Sequence, residues 1–299
     1  MSNSRFGLRT RNGLIRNFIE GSVALGTYLL SDVPNAVGAY SLRKLNPNYN
    51  GNAIRVRRSS DSLEQNIGFN GLDLDTTSLI SFVGGDSGFI TSWYDQSGNG
   101  HDCIQGTQTY QPKIINVGSL ITEGGKPAIL FDGVDDHLIN GSMPASSTKT
   151  AVFIKKGVIG TGNSALIYFP ATGGGLGIYY WNESPSKYGF NSWNSDSWGI
   201  SPSVTYTSRT VELALINNGL FNTSGVRFFI NGGELTLSQV KGTSTSRNMT
   251  TGFNIGVGGS FGSNQEYDGS FQEIIVYSSD KTSDLNTFNT NINGYYSIY

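Results

Sequence analysis

Two short loops hold most of the side chains able to do chemistry. Asp95-Gln-Ser-Gly-Asn-Gly-His-Asp102 and Asp132-Gly-Val-Asp-Asp-His137 gather five carboxylates and both histidines of the chain, His101 and His137. The first loop partly fits the alternating acid/amide pattern of a calcium loop, with Ser97 at the middle ligand position. Its twelfth position is Gly106 rather than a bidentate acid, which excludes an EF-hand. A calcium ion on Asp95, Asp135 or Asp136 is one expectation; the other is that these Asp and Asn side chains only fold their own turns. No zinc spacing occurs, and no Ser/His/Asp or Cys/His arrangement can be argued from order or spacing. The lone Cys103 rules out an internal disulfide and reads as a small buried hydrophobe. Residue types and spacing therefore assign no catalytic group and no metal.

Binding chemistry is better represented. Between Tyr179 and Trp198 six tyrosine and tryptophan residues stand among Asn, Ser and Gly. Of these, Tyr180, Trp181, Trp193 and Trp198 are the candidates for stacking on sugar rings, with neighbouring amides to bond hydroxyls. The same composition suits a subunit interface or plain core, and all three readings stay open. At the N-terminus, Arg5, Arg9 and Arg11 precede an apolar set, Leu14, Ile15, Phe18 and Ile19, at helical spacing. Residues 1–34 are expected to be a docking arm onto another copy or another protein, against the alternative of a frayed tail.

The elements that must position these residues are strands. Forty glycines, 14% charged and 12% aromatic residues suit a turn-rich β protein. Short apolar runs recur at Phe89–Tyr94, Pro127–Phe131, Thr150–Ile154, Ala165–Phe169, Gly175–Trp181, Thr210–Ile216, Val226–Ile230 and Gly269–Tyr277, with no helical pattern between them. Asn231-Gly-Gly233 reads as a hairpin turn. In Ala53–Arg58, Ile54 and Val56 alternate with Arg55 and Arg57, which are expected to pair with acids such as Asp61 and Glu64. Leu285, Phe288, Ile292 and Tyr295 predict a C-terminal helix capped by Ser283 or Asp284. A net charge of −2 argues against nucleic acid as the main partner. Val23–Leu30 is too short and glycine-broken to insert in a membrane.

Longer motifs carry a resemblance. Trp93-Tyr-Asp-Gln-Ser-Gly-Asn-Gly100 followed by Gly125-Lys-Pro-Ala-Ile-Leu-Phe-Asp-Gly133 resembles the opening of concanavalin A-like, laminin G-type jelly rolls, including those of bacteriophage virion proteins. The stretch from Ala39 through Arg58-Ser-Ser-Asp61 to Gly100 resembles the catalytic domain of α-L-arabinofuranosidase B enzymes. The fold so implied is all-β: a concanavalin A-like jelly-roll sandwich over residues 35–299 with a short C-terminal helix. Such arabinofuranosidases cleave with two carboxylates. Their acid/base aspartate follows a Gly-x-Gly-Gly turn; here Gly256-Val-Gly-Gly259 is followed by Ser260, which cannot protonate a leaving oxygen. For the nucleophile, Glu183 is the nearest candidate. The expectation is therefore a non-enzymatic structural or appendage protein of a tailed phage virion: a head decoration, fibre or tail component, made in the host cytoplasm without a signal peptide. It would dock to other virion proteins through the arm, form homo-oligomers such as trimers, and present a lectin-like surface to host glycans. The alternatives are a glycoside hydrolase of the arabinofuranosidase type and a free carbohydrate-binding module.

Overall fold

A computed structural model describes residues 28–158, 163–172, 175–181, 186–192, 196–200, 206–220, 222, 224–242, 246–256 and 265–299. The arm residues Arg5, Arg9, Arg11, Leu14, Ile15, Phe18 and Ile19, together with Glu183, Trp193 and Ser260, lie outside these. Among the described residues no helix is long and apolar enough to cross a membrane.

Twenty strands pair into one continuous antiparallel network that folds over on itself as a sandwich. The first face runs Gly38–Ser41, Asp268–Tyr277, Lys149–Gly157, Thr210–Ile216, Val226–Ile230 and Gly233–Glu234. Ile129–Asp132 also joins it, beside the first half of Asp268–Tyr277. The second face runs from Glu64–Ile67 through Ile54–Arg58, Gly88–Trp93 and Cys103–Ile104 to Leu138–Asn140 and Phe253–Ile255. It continues through Ser164–Phe169, Leu176–Trp181, Lys187–Ser192 and Asp196–Ile200 to Ser238–Lys241.

Alternation sorts the side chains. Ala151 and Phe153 face the second sheet and join Tyr40, Phe131, Ile178, Tyr188, Phe228 and Phe271 in the inter-sheet core. Val152 and Ile154, with Val211, Leu213 and Ile275, point the other way. That outer face is covered by the C-terminal helix Leu285–Tyr296, which buries Phe288, Ile292 and Tyr296. The expected helix face holds except that Tyr296 goes fully inside while Tyr295 lies half-buried. Arg43 stacks over both tyrosine rings, and its guanidinium makes two bonds to the fully buried Glu273. Asp284 occupies the N-cap position without a side-chain cap bond. Leu29–Asp32 forms a single helical turn, and Leu29 and Val33 pack into this same outer core.

The hairpin at Asn231-Gly232 forms with positive φ at both residues, as a type I′ turn requires. Arg55 pairs with Glu64 and Arg58 with Asp61, while Arg57 turns inward to Gln111. A helix over Thr76–Val83, capped by the Asp75 carboxylate on the Ser78 amide, occupies what the sequence suggests is only loop. Its eight residues are too few for a convincing period, and the Asp75 cap is the one local signal the sequence carries for it.

One polar group is locked inside the sandwich. Lys155 and Glu212 are both fully buried, with Nζ and Oε1 3.2 Å apart. Tyr188 and Thr210 donate hydroxyl bonds to the two Glu212 oxygens, and Lys155 also donates to the Tyr206 carbonyl at 2.6 Å.

Candidate carbohydrate site at the rim of the open sheet

The second sheet has no helix on its outer face among the described residues. Its residues there are read off the pairing register. In Leu176–Trp181, Ile178 and Tyr180 face the core, so Gly177, Tyr179 and Trp181 face outward. Tyr179 and Trp181 pack against each other with ring centroids 5.4 Å apart and against Ala165 and Tyr168 of the neighbouring strand. Tyr179 sits opposite Gly189, and Gly189 opposite Gly199, so on that side no side chain stands beside the Tyr179 ring, while Trp181 sits opposite Lys187. A Cβ at Gly199 would come within 3.3 Å of the Trp181 ring, and one at Gly189 within 2.2 Å of the Trp198 carbonyl oxygen. Glycine at both positions makes a flat floor under the aromatic group.

Next to this floor stands an acidic rim. The Tyr179 hydroxyl donates to Gln265 Oε1 at 2.5 Å, and the Gln265 amide donates to Glu266 Oε2 at 2.8 Å. The Glu266 carboxylate is thus held beside the aromatic group by the backbone it follows. Residues 265–268 step from one sheet to the other: the Ala165 amide bonds the Gln265 carbonyl, and the Val158 amide bonds the Asp268 carbonyl. At that crossing Asp268 is the register partner of Asp132. Like charges directly opposite on antiparallel strands are unfavourable, and more carboxylates crowd them. Oxygens of Asp132, Asp135 and Asp136 all lie within 4.8 Å of one another. The loop is tied by its own backbone, with the Asp132 amide bonding Asp136 Oδ2 and the Val134 amide bonding Asp132 Oδ1.

The electrostatic consequence is a rim that keeps protons. Burial first, then the neighbouring Asp132, pushes the Asp136 carboxyl up to about 7. Asp135 is raised by desolvation and by Asp132 and Glu266, and Asp268 by desolvation and Asp132. An acid that is still protonated near neutrality beside carboxylates that can ionise is the division of labour that general acid/base chemistry needs.

The sequence candidates divide accordingly. Trp181 lies on the outward floor but is only 5% exposed. Tyr180 faces the core, stacked on Tyr206 at 4.3 Å, so neither ring face is open to a sugar. Trp198 also points inward, and its edge lines a groove of about 340 Å³ with Val226, Arg227, Glu234, Leu235, Thr236 and Leu237. Asp135 and Asp136 do come together, with Asp132. Asp95 is elsewhere, its carboxylate accepting the amides of Ala39, Ser97 and His101, which is the turn-folding reading of that loop. Sequence reasoning missed Tyr168, Gln265, Glu266 and Asp268. The parity of Tyr179 with Trp181 was a usable signal; the facing of Asp132 and Asp268 rests on a pairing 136 residues apart in the chain.

No protein-family model matches the chain, and no curated protein does. Solved structures do. An arabinofuranosidase complexed with arabinofuranosyl-α-1,2-xylobiose superposes with a TM-score of 0.64 at 18% identity, covering 92% of this chain and 65% of that one. A glutamate-to-glutamine mutant of a GH54 α-L-arabinofuranosidase soaked with 4-nitrophenyl α-L-arabinofuranoside gives 0.64 at 17% identity, covering 92% and 66%. This chain thus spans just under two thirds of the length of these enzymes. Nothing in the comparisons indicates a virion protein, and the expectation of a non-enzymatic phage structural component is corrected: the structures superposing at a TM-score of 0.63–0.64 are arabinofuranosidases. What this likeness establishes is the all-β sandwich, shared with α-L-arabinofuranosidases over nearly the whole chain.

Proposed function

We propose that this chain is a glycoside hydrolase acting on α-L-arabinofuranosides of neutral polysaccharides. The observation that carries the reading is the acidic rim, whose Asp136 carboxyl is pushed up to about 7 and which is set beside an aromatic and glycine floor, in a fold shared with arabinofuranosidases. In this reading the Asp135–Asp136 pair supplies the proton to the departing glycosidic oxygen, and Glu266 is the second carboxylate, on the sugar side. This differs from the family pattern, in which the acid would stand at Ser260. The acid is instead supplied by the neighbouring loop, whose Asp136 carbonyl lies 2.8 Å from where a Cβ on Gly256 would be.

The test is release of nitrophenolate from 4-nitrophenyl α-L-arabinofuranoside by the purified protein, with Asp135→Asn, Asp136→Asn, Glu266→Gln and Glu183→Gln alongside. Losses of ~100-fold or more are expected for Glu266→Gln and for at least one aspartate variant, as general acid/base groups typically supply. Folded wild-type protein that releases nothing above the blank would overturn the proposal. Loss on Glu183→Gln with Glu266→Gln unaffected would move the second carboxylate to the segment after Trp181.

A further inference from the structure

A second groove, of about 400 Å³, lies away from the acidic rim. It sits between the hairpin Phe69–Leu74, the first turn of the helix Thr76–Val83 and the hairpin Thr122–Pro127. Asp73, Asp75, Thr77, Leu120, Lys126 and Pro127 line it. Asp75 is spent on the helix, accepting both the amide and the hydroxyl of Ser78. Asp73 has capacity to spare. Its side chain is 61% exposed, and Lys126 Nζ at 3.2 Å and the Tyr295 hydroxyl both bond Oδ1. Among the described residues Oδ2 accepts nothing. The Tyr295 bond foremost, with Lys126 after it, outweighs desolvation and holds this carboxyl below its usual range, so it is ionised at neutral pH.

The described chain begins at Tyr28, close to this groove. The Leu30 amide bonds the Leu45 carbonyl, and the Lys44 amide bonds the Leu72 carbonyl, next to Asp73. Asn291 bonds Asp32 on one side and Arg43 on the other, and Arg43 bridges Asp73 through the backbone. Around the groove and this exit Asp32, Asp73 and Asp75 outnumber Lys44 and Lys126, and Lys126 is committed to Asp73. The sequence before Tyr28 carries the opposite charge: Arg5, Arg9, Arg11 and Arg16 against Glu20 alone, four to one, net +3. Arg16 is the arginine nearest Tyr28 in sequence, and the intervening chain spans up to about 40 Å when extended.

We infer that residues 1–27 fold back over this groove of their own chain and seat the Arg16 guanidinium on the free oxygen of Asp73. The arginine stem then lies along Leu120 and Pro127, which are half-buried at the groove wall. A guanidinium carries donors only and suits a carboxylate with an unused acceptor, whereas an anion would meet Asp73 and Asp75. The tether supplies the local concentration that one partly exposed ion pair needs in order to be occupied.

Limited trypsin digestion of the full chain, with initial rates read from fragment masses, tests the fold-back. Arg11 and Arg16 are each followed by asparagine, so the two bonds offer the protease the same residue after the cut. Wild type is expected to be cut after Arg16 about fivefold more slowly than after Arg11, the order of protection a partly exposed ion pair gives. Asp73→Asn, or added salt, should bring the two rates together. Thr77→Lys, which adds a competing cation at an exposed position of the groove, is the second variant and should do the same. Circular dichroism and Tm show which variants are folded. Equal rates in wild type overturn the fold-back, as does protection that persists in every folded variant. Protection that disappears on dilution places the segment on a second copy and overturns it too. The readout involves no turnover at the acidic rim.

Discussion

Asp136→Asn is the change that most directly tests the acidic rim. The carboxyl sits at about 7 in the folded chain, with desolvation and Asp132 as the main causes, Asp135 adding to them and Lys113 opposing. In the unfolded chain it returns to about 3.9. Below pH ~4 both states carry the proton and the group costs nothing. Between about 4 and 7 the unfolded state gives up its proton while the folded state keeps it, so stability falls as pH rises. Above about 7 both are ionised and the full penalty applies. At about 1.4 kcal/mol per pH unit the displacement caps that penalty at about 4 kcal/mol. Water around the exposed Asp132 and the coupled titration of its neighbours lower this to about 2–4 kcal/mol. Asparagine keeps an oxygen for the Asp132 amide and removes the charge. Urea unfolding should therefore find Asp136→Asn close to wild type at pH 4.5 and more stable by about 2–4 kcal/mol at pH 8.5. Equal effects at the two pH values, or destabilisation at both, would refute the argument that the rim holds a buried proton.

Two further outcomes follow from the core and the floor. Lys155→Met leaves Glu212 buried against Tyr188 and Thr210 without its cation and should cost about 3–5 kcal/mol, whereas the double change with Glu212→Leu should recover much of this in thermal unfolding. Gly189→Ala drives a methyl to 2.2 Å from the Trp198 carbonyl and should lower stability by about 1–3 kcal/mol, while Gly177→Ala, whose nearest contact is Ile167 O at 3.2 Å, should cost less; equal Tm changes for the two would contradict the register of the floor.

Much of the sandwich was legible because its strands are short, alternating and closed by Gly, Asn and Asp. Phe89–Tyr94 and Gly269–Tyr277 are found within a residue of their expected bounds as Gly88–Trp93 and Asp268–Tyr277. Asn231-Gly-Gly233 was legible as a hairpin turn from residues tolerant of positive φ, and the structure makes it type I′ at Asn231-Gly232. The helix Thr76–Val83 was not legible, because one apolar face over two turns looks like an isolated apolar run. The candidate site was the least legible. Tyr180 was chosen for its chemistry, but strand parity sends it inward and Tyr179 outward. Asp132 and Asp268 meet only through long-range pairing. Glu266 had no motif at all; its position comes from the backbone step between sheets.

The strand Gly38–Ser41 finds its partner in Asp268–Tyr277, with Ala39 opposite Ile275. The same late strand also supplies the partners of Ile129–Asp132 and Lys149–Gly157. Three segments made earlier during synthesis must therefore wait for a strand that lies far downstream of them in the chain. Completing the first sheet therefore requires closing long loops, the kind of pairing that slows folding. A truncation before Asp268 should produce not a smaller sandwich but a chain with unpaired edges, prone to associate through them.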